Sequence, residues 1–227
     1  MKIAGISDLH GDLINDFEEC DIVCICGDTL PLSIQRNNQK SRKWLKEEFK
    51  PWAESLPCDK VFFIGGNHCF CMESTPQFML DNFKKDDKVT YLCNEEFIYN
   101  CDGKDYKIYG TPYCPDLYRW AFYKDHDNLI KEFSKIPENV DILLTHCPPK
   151  IDHYGVVLQQ GVYNHFTDYG CEELADSVKI KHPKLHIFGH VHSGDHEAKL
   201  IGKTLYCNVS IKNENYNITY YPIYFEQ

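Results

Sequence analysis

An α/β architecture built on mixed β-sheets is predicted by three features of this sequence. Short apolar runs at 2–7, 21–26 and 60–64 read as buried strands, and stretches with helical spacing of apolar residues lie between such runs. Residues 198–225 return to a β-rich pattern with a turn at Gly202-Lys203. Several of the apolar runs stop at residues whose side chains are metal ligands: Asp8-Leu9-His10, Gly27-Asp28, Gly66-Asn67-His68, Thr145-His146 and Gly189-His190-Val191-His192.

Taken in order, strand 2–7 leads into Asp8 and His10, and strand 21–26 leads into Gly27-Asp28. Residues 38–56 carry helical periodicity, and strand 60–64 ends at Asn67 and His68. A helix is predicted over 75–85, with Pro76 suited to its first turn. Strands follow at 89–92, 97–100 and 106–109, the last two joined by the turn signal Asp102-Gly103. A long aromatic loop spans 111–125, a helix 127–133, and strand 141–144 runs into Thr145-His146. The helix at 169–182 precedes strand 185–188, which delivers His190 and His192. No internal repeat or linker divides the chain, so one domain over 1–227 is expected.

The 227 residues suffice for a sizeable core, and 43% hydrophobic with 26% charged residues suits a soluble globular protein. The opening apolar run is too short for a signal-peptide core, and no membrane-length apolar stretch occurs. A cytoplasmic setting without membrane partners is therefore expected, and there twelve cysteines stay reduced. Cys24 and Cys26, like Cys69 and Cys71, are expected to pack in the core rather than hold a structural zinc. The formal charge of −10 disfavours extended nucleic-acid binding. It leaves room for a small anionic substrate, because bound dications reverse the field inside a cleft. The basic groups at 40–46 and 179–184 read as solvated faces.

Ligands raised at the ends of several strands can converge on one point. Asp8 and His10, one residue apart, can both face one ion. Asp28 offers two carboxylate oxygens able to bridge two metals, and Gly27 before it permits close backbone approach. Asn67 brings an amide oxygen, and His146 and His190 bring imidazoles. His192 can reach the metal on the other side of Asp28. This mixed oxygen and nitrogen set suits manganese, iron, zinc, cobalt or nickel, with manganese favoured. Two divalent ions about 3.5–4 Å apart can clamp a phosphoryl group and supply a hydroxide nucleophile at neutral pH. His68 is then the candidate acid for the leaving oxygen. The other histidines, His126, His153, His165, His182, His186 and His196, are expected to be ordinary surface or core residues.

The order and identity of these segments resemble those of the calcineurin-like metallophosphoesterases across residues 8–192. That resemblance implies a four-layer α/β/β/α sandwich of two mixed sheets flanked by helices. It further implies Asp8, His10, Asp28 and His192 on one metal and Asn67, His146 and His190 on the other, with Asp28 shared. Gly110-Thr111-Pro112-Tyr113, Trp120-Ala121-Phe122, Thr145-His146-Cys147-Pro148-Pro149, Gly170-Cys171-Glu172-Glu173-Leu174 and the run 183–190 resemble the metallophosphoesterase-domain-containing branch. That branch is related to phosphodiesterases acting on cyclic nucleotides.

Two positions depart from the pattern. Cys69 follows His68 where many members place Asp or Glu, so another group must orient that ring; Asp12 and Glu73 are the expected substitutes. Ser193-Gly194-Asp195-His196 replaces the branch's Glu-Gly-Tyr-Gly, which alters the substrate side. In the aromatic loop, Tyr113, Tyr118, Trp120, Phe122 and Tyr123 are expected mainly to pack on the sheet, with nucleobase stacking the alternative. Arg119 is expected to be solvated.

The reading that follows is a metal-dependent phosphodiesterase acting on a small nucleotide-like ester. The alternatives are a phosphomonoesterase or phosphoprotein phosphatase, for which the Gly-Asp-x-x-Asp-Arg-Gly pattern is missing, and a weakly catalytic nucleotide-binding module, which Cys69 favours.

Overall fold

Alternation of side chains along the strands explains how the chain stacks two sheets. The computed structural model describes residues 1–115, 117–158 and 166–227. In the first half lie β1 (Lys2–Ile6), β2 (Cys20–Ile25), α1 (Asn38–Trp44), a π-helical turn (Leu45–Phe49), α2 (Lys50–Ser55), β3 (Cys58–Phe63), α3 (Phe70–Ser74), α4 (Pro76–Asn82) and β4 (Val89–Tyr91). Then come β5 (Glu95–Cys101), β6 (Lys104–Thr111), α5 (His126–Ser134), β7 (Ile142–Thr145), β8 (Val156–Leu158), β9 (Phe166–Asp168), α6 (Glu172–Lys181) and β10 (Leu185–Phe188). The chain finishes with β11 (Lys199–Ile201), β12 (Thr204–Asn208) and β13 (Ile223–Glu226).

One sheet has the order β13-β1-β2-β3-β4 and the other β11-β12-β10-β7-β6-β5. Both are mixed: β13 is antiparallel to β1, β5 to β6 and β11 to β12, while the remaining pairs are parallel. Ile3, Ile22, Cys24 and Phe62 of the first sheet meet Ile108, Ile142, Leu144, Leu185 and Ile187 of the second in a layer between them. Their sequence neighbours Ala4, Val23, Ile25, Val61 and Phe63 face the other way, onto Leu45, Phe49, Trp52, Met72 and Met79. On the far side, Tyr109, Leu143, Phe188 and Tyr206 receive Leu129 and Phe133 of α5 and Leu174 and Val178 of α6. Three apolar layers between four layers of structure give the α/β/β/α sandwich.

Period-two alternation places each strand residue on a definite face, and burying each large apolar chain is worth about 1.5–3 kcal/mol. The cysteines follow the same logic. Cys24 and Cys26 pack between the sheets, Cys69 and Cys71 pack beneath the helices, and all twelve thiols are free.

Several elements differ in detail from the sequence expectation. The helix expected over 38–56 forms, but in three pieces. Pro51 has no N–H and its ring crowds the carbonyl four residues back, so the ladder widens beforehand and Lys50 N–H bonds to Leu45 O. The helix expected over 75–85 stops at Asn82. Helix α6 starts at Glu172, later than expected, and His182 ends it in the left-handed conformation at φ 49°. Asp125 caps α5, accepting the Asn128 N–H at 3.0 Å. Asp102 and Gly103 turn at φ 52° and 77°, as their residue types require. The helix α3 and the antiparallel pair β8–β9 carry no strong sequence signal. No helix among the described residues is long and apolar enough to cross a membrane.

The parallel strands set the site. β1, β2 and β3 end on one edge of their sheet, as do β7 and β10 of theirs, and ligand sites of open α/β sheets form at such carboxyl ends. Ser7 bridges to Ser210 and Cys26 Sγ reaches Ile187 O at 3.4 Å, joining the two edges.

Candidate metal centre

Left-handed turns aim the first side chains. Asp8, His10, Asp28 and His190 have φ of 59°, 46°, 47° and 71°, a region costly for residues with a Cβ. The strands hold them there: Asp8 N–H donates to Gly27 O at 3.2 Å and His10 N–H to Asp28 O at 2.8 Å. Gly27 turns at φ 99°, and a Cβ on it would overlap the His146 ring, which explains the glycine before Asp28.

Each carboxylate commits one oxygen to the backbone. Asp28 Oδ1 accepts the His68 N–H at 2.8 Å, and Asp8 Oδ2 accepts the His190 N–H at 2.9 Å. The other oxygens face imidazoles. Asp28 Oδ2 lies 3.3 Å from His146 Nε2, 3.8 Å from His68 Nε2 and 4.0 Å from His10 Nε2. Asp8 Oδ1 lies 3.6 Å from His192 Nε2. Asn67 Oδ1 sits 2.8 Å from His146 Nε2 and 3.0 Å from His190 Nδ1. All seven residues proposed as ligands from the sequence, and His68, are thus brought to one place. Donor atoms of Asp8, His10 and His192 lie within 4.8 Å of one another, as do those of Asp8, Asp28 and His146, and those of His10, Asp28 and His68. No cysteine belongs to these groups among the described residues.

The donor chemistry fits a bound cation. His146 Nδ1 faces Cys26 O at 2.7 Å while its Nε2 faces Asn67 Oδ1. Both oxygens only accept, and a neutral imidazole carries one N–H. The Nδ1 proton goes to the backbone carbonyl, so Nε2 can face the amide oxygen only with a cation between them or as the second N–H of an imidazolium. The Asp28 carboxylate beside it favours either positive charge. His192 repeats the pattern, with Nδ1 on Asn213 O at 3.1 Å and Nε2 inward. Asp8 Oδ1 and both ring nitrogens of His10 are buried without a hydrogen-bond partner among the described residues.

Electrostatics point the same way. Burial by itself would raise the Asp8 and Asp28 carboxyls, yet the surrounding histidines hold both well below the usual carboxylate range. Burial pushes His10 down to about 4 and His190 to about 3, so both remain neutral donors at pH 7. Burial also opposes a charge on His146, but the Asp28 carboxylate beside it outweighs this and raises it to about 9. The pocket favours positive charge next to Asp28.

His68 is oriented differently from the sequence expectation. Asp12 is instead paired with Lys212, and Glu73 lies 4.0 Å from Lys124. His68 Nδ1 meets Gln35 Oε1 at 2.5 Å, and Cys69 Sγ turns inward, 3.9 Å from Asp28 Oδ1. Gln35 accepts only through this oxygen, so the Nδ1–H is fixed and Nε2 faces the centre. Burial lowers the proton affinity of the ring. No sequence signal marks Gln35, which lies in an irregular stretch.

The aromatic loop divides its rings. Phe122 is buried in the core, as packing requires, whereas Trp120 lies against His68 with ring centroids 4.5 Å apart. Tyr118 is 73% exposed, and Arg119 rests over its ring at 5.5 Å. Tyr216, which the sequence did not single out, edges onto His10 at 5.0 Å and His192 at 5.3 Å. Of the other histidines, His186 is fully buried, His126 pairs with Glu173 at 2.5 Å, and His196 stacks on Tyr220 at 3.8 Å. His153 is exposed, His182 ends α6, and His165 lies outside the described residues.

Comparison with known proteins agrees with this geometry. The family model for calcineurin-like phosphoesterases matches residues 1–194. Metallophosphoesterase domain-containing protein 1 of Homo sapiens is 31% identical over 225 residues, which covers 89% of this chain and 63% of that protein. The protein of the same name in Mus musculus matches equally, so the chain spans about 63% of the length of these relatives. Among solved structures, TT1561 of Thermus thermophilus shares the fold with a TM-score of 0.56 at 13% identity, over 91% of this chain and 88% of that one. Phosphopantetheinyl hydrolase from Mycobacterium tuberculosis gives 0.55 at 12% identity, over 94% and 90%.

Proposed function

Because the chain belongs to the calcineurin-like phosphoesterase family, we propose that it is a dinuclear metal-dependent phosphodiesterase acting on a small nucleotide-like ester. The observation that carries this reading is the convergence of three imidazole Nε2 atoms on Asp28 Oδ2, at 3.3, 3.8 and 4.0 Å, in a buried pocket. Asp8, His10, Asp28 and His192 would hold one ion, and Asn67, His146 and His190 the other, with Asp28 between them; manganese is the favoured metal. When bound, such ions polarise phosphoryl oxygens and lower the pKa of water toward about 7.

The chain's own residues do the rest. Asn213 O and Cys26 O fix the tautomers of His192 and His146, so their inner nitrogens are presented without rearrangement. Gln35 fixes His68 with Nε2 toward the centre, 3.8 Å from Asp28 Oδ2. An anionic ester facing that nitrogen favours the protonated ring, which then gives its proton to the leaving oxygen. The buried walls exclude bulk water and strengthen each of these contacts. The relatives' name supports phosphoester hydrolysis, and the missing Asp-Arg-Gly pattern weighs against a phosphoprotein substrate. Twelve free thiols fit a reducing compartment, and the cytoplasm is part of this reading.

The test is hydrolysis of bis(p-nitrophenyl) phosphate by manganese-loaded protein. Turnover that falls roughly 10²–10⁴-fold in His68→Ala with metal content retained supports the assignment. Full activity in that variant removes the acid role, and preference for p-nitrophenyl phosphate selects a monoesterase. Gln35 favours one second reading, a binding module with slow turnover, since a neutral amide stabilises an imidazolium less than a carboxylate does. Tight ligand binding with negligible hydrolysis across metals would select it.

A further inference from the structure

The family match ends at residue 194, yet the chain beyond it builds one side of the centre. Asn213 O receives the His192 Nδ1–H at 3.1 Å, and Glu214 Oε1 receives the Ser193 N–H at 3.0 Å. Lys212 is 2% exposed, pairs with Asp12 of the first motif loop, and donates to Tyr216 O at 3.0 Å. Tyr216 N–H bonds to Asn213 O at 2.8 Å, and Asn217 N–H to Asn213 Oδ1 at 3.1 Å. These bonds hold Tyr216 at φ 60°, a conformation an aromatic residue rarely adopts.

What this device positions is a ring. Tyr216 touches His10 and His192, with centroids 5.0 and 5.3 Å away, and is still 40% exposed. Packing alone does not account for it, because a ring placed for the core is covered, as Phe122 is at 2%. Among the described residues, its hydroxyl makes no hydrogen bond that would explain the strained backbone.

We propose that Tyr216 is a specificity-determining residue, offering its ring to a planar aromatic group esterified to the phosphate at the centre. This rests on the phosphoesterase reading and adds the residue that recognises the ester's planar group, an aryl ring or nucleobase. Ring against ring selects for planarity beyond the area covered, whereas an aliphatic group of the same size gains only the area.

The experiment is calorimetry on the metal-loaded protein with phenylphosphonate and cyclohexylphosphonate, whose carbon–phosphorus bonds resist hydrolysis. The wild type binds the phenyl compound about five-fold more tightly. Tyr216→Leu brings the ratio to about one with metal content intact, and Tyr216→Phe restores it. Equal affinities in the wild type, or a ratio unmoved in Tyr216→Leu, would overturn the proposal while phosphonate binding leaves the phosphoesterase reading standing. Failure of Tyr216→Phe to restore the ratio assigns the effect to the hydroxyl and overturns the ring's role. Absence of phosphonate binding together with absence of diester hydrolysis overturns both.

Discussion

Gln35 shows how a single residue decides the character of the centre. Its oxygen holds His68 by Nδ1 across 33 positions of sequence, where the carboxylate of Asp12 or Glu73 was expected to do so. Replacing it by leucine leaves the ring free to rotate and to change tautomer. Gln35→Leu is expected to lower kcat about ten-fold or more with KM little changed, and Gln35→Glu to retain or raise kcat; steady-state kinetics on the diester decide this. If both variants match the wild type, the contact has no role in turnover. The candidate ligand residues were legible as a group because Asp, Asn and His stand just past the ends of apolar runs. Four of them, Asp8, His10, Asp28 and His190, sit where the backbone is left-handed. Gln35 and Tyr216 were not, since each acts through a contact that no local pattern announces.

Elements transmit this geometry through close packing. Gly66, at the end of β3, lies so near Asp28 that a Cβ would overlap its Oδ1 and stand 2.7 Å from His146 Cε1. Gly66→Ala is expected to cost about 1–3 kcal/mol in denaturant unfolding and to lower metal affinity, because it displaces Asp28 itself. Unchanged metal binding would contradict the tightness of this joint. In β10, His186 is fully buried. Thr145 O–H donates to Cys147 O at 2.8 Å, so His186 Nε2–H donates to Thr145 Oγ1 at 2.9 Å and Nδ1 stays unpartnered among the described residues.

Burial therefore keeps His186 neutral down to about 3, whereas in the unfolded chain it takes a proton near 6.5. Between those values the unfolded state binds the additional proton, so stability falls as pH falls, by about 1.4 kcal/mol per unit at most. In His186→Phe this component of the acid sensitivity is expected to vanish; an identical pH profile of unfolding would refute the assignment. The principal strands were readable from short apolar runs. The break before Pro51, the short α3 and the strand pair β8–β9 were less so, because they answer to local sterics and tertiary contacts rather than to periodicity.

At the scale of the whole molecule, two sheets carry their loops to a common edge, where the Asp8 and Asp28 carboxylates face imidazoles. On the proposed reading, cations bound among Asp8, His10, Asp28 and their neighbours would add to the stability of the fold. Metal at one hundred times its dissociation constant stabilises by about 2.7 kcal/mol per site. For a chain of this size, chelation is expected to lower Tm by roughly 5–10 °C per site. Alternating strands and helices foretold an α/β architecture with mixed sheets, and the family resemblance implied the four-layer sandwich. The pairing of strands across each sheet was not, since it depends on contacts between segments distant in sequence.

Counting bound metal tests the central claim most directly. After loading with manganese and exhaustive removal of free ions, elemental analysis should find two ions per chain in the wild type, and a clear loss in Asp28→Asn, which weakens the side chain proposed to be shared between them. A wild type that retains no metal under any of the five candidate ions would contradict the account.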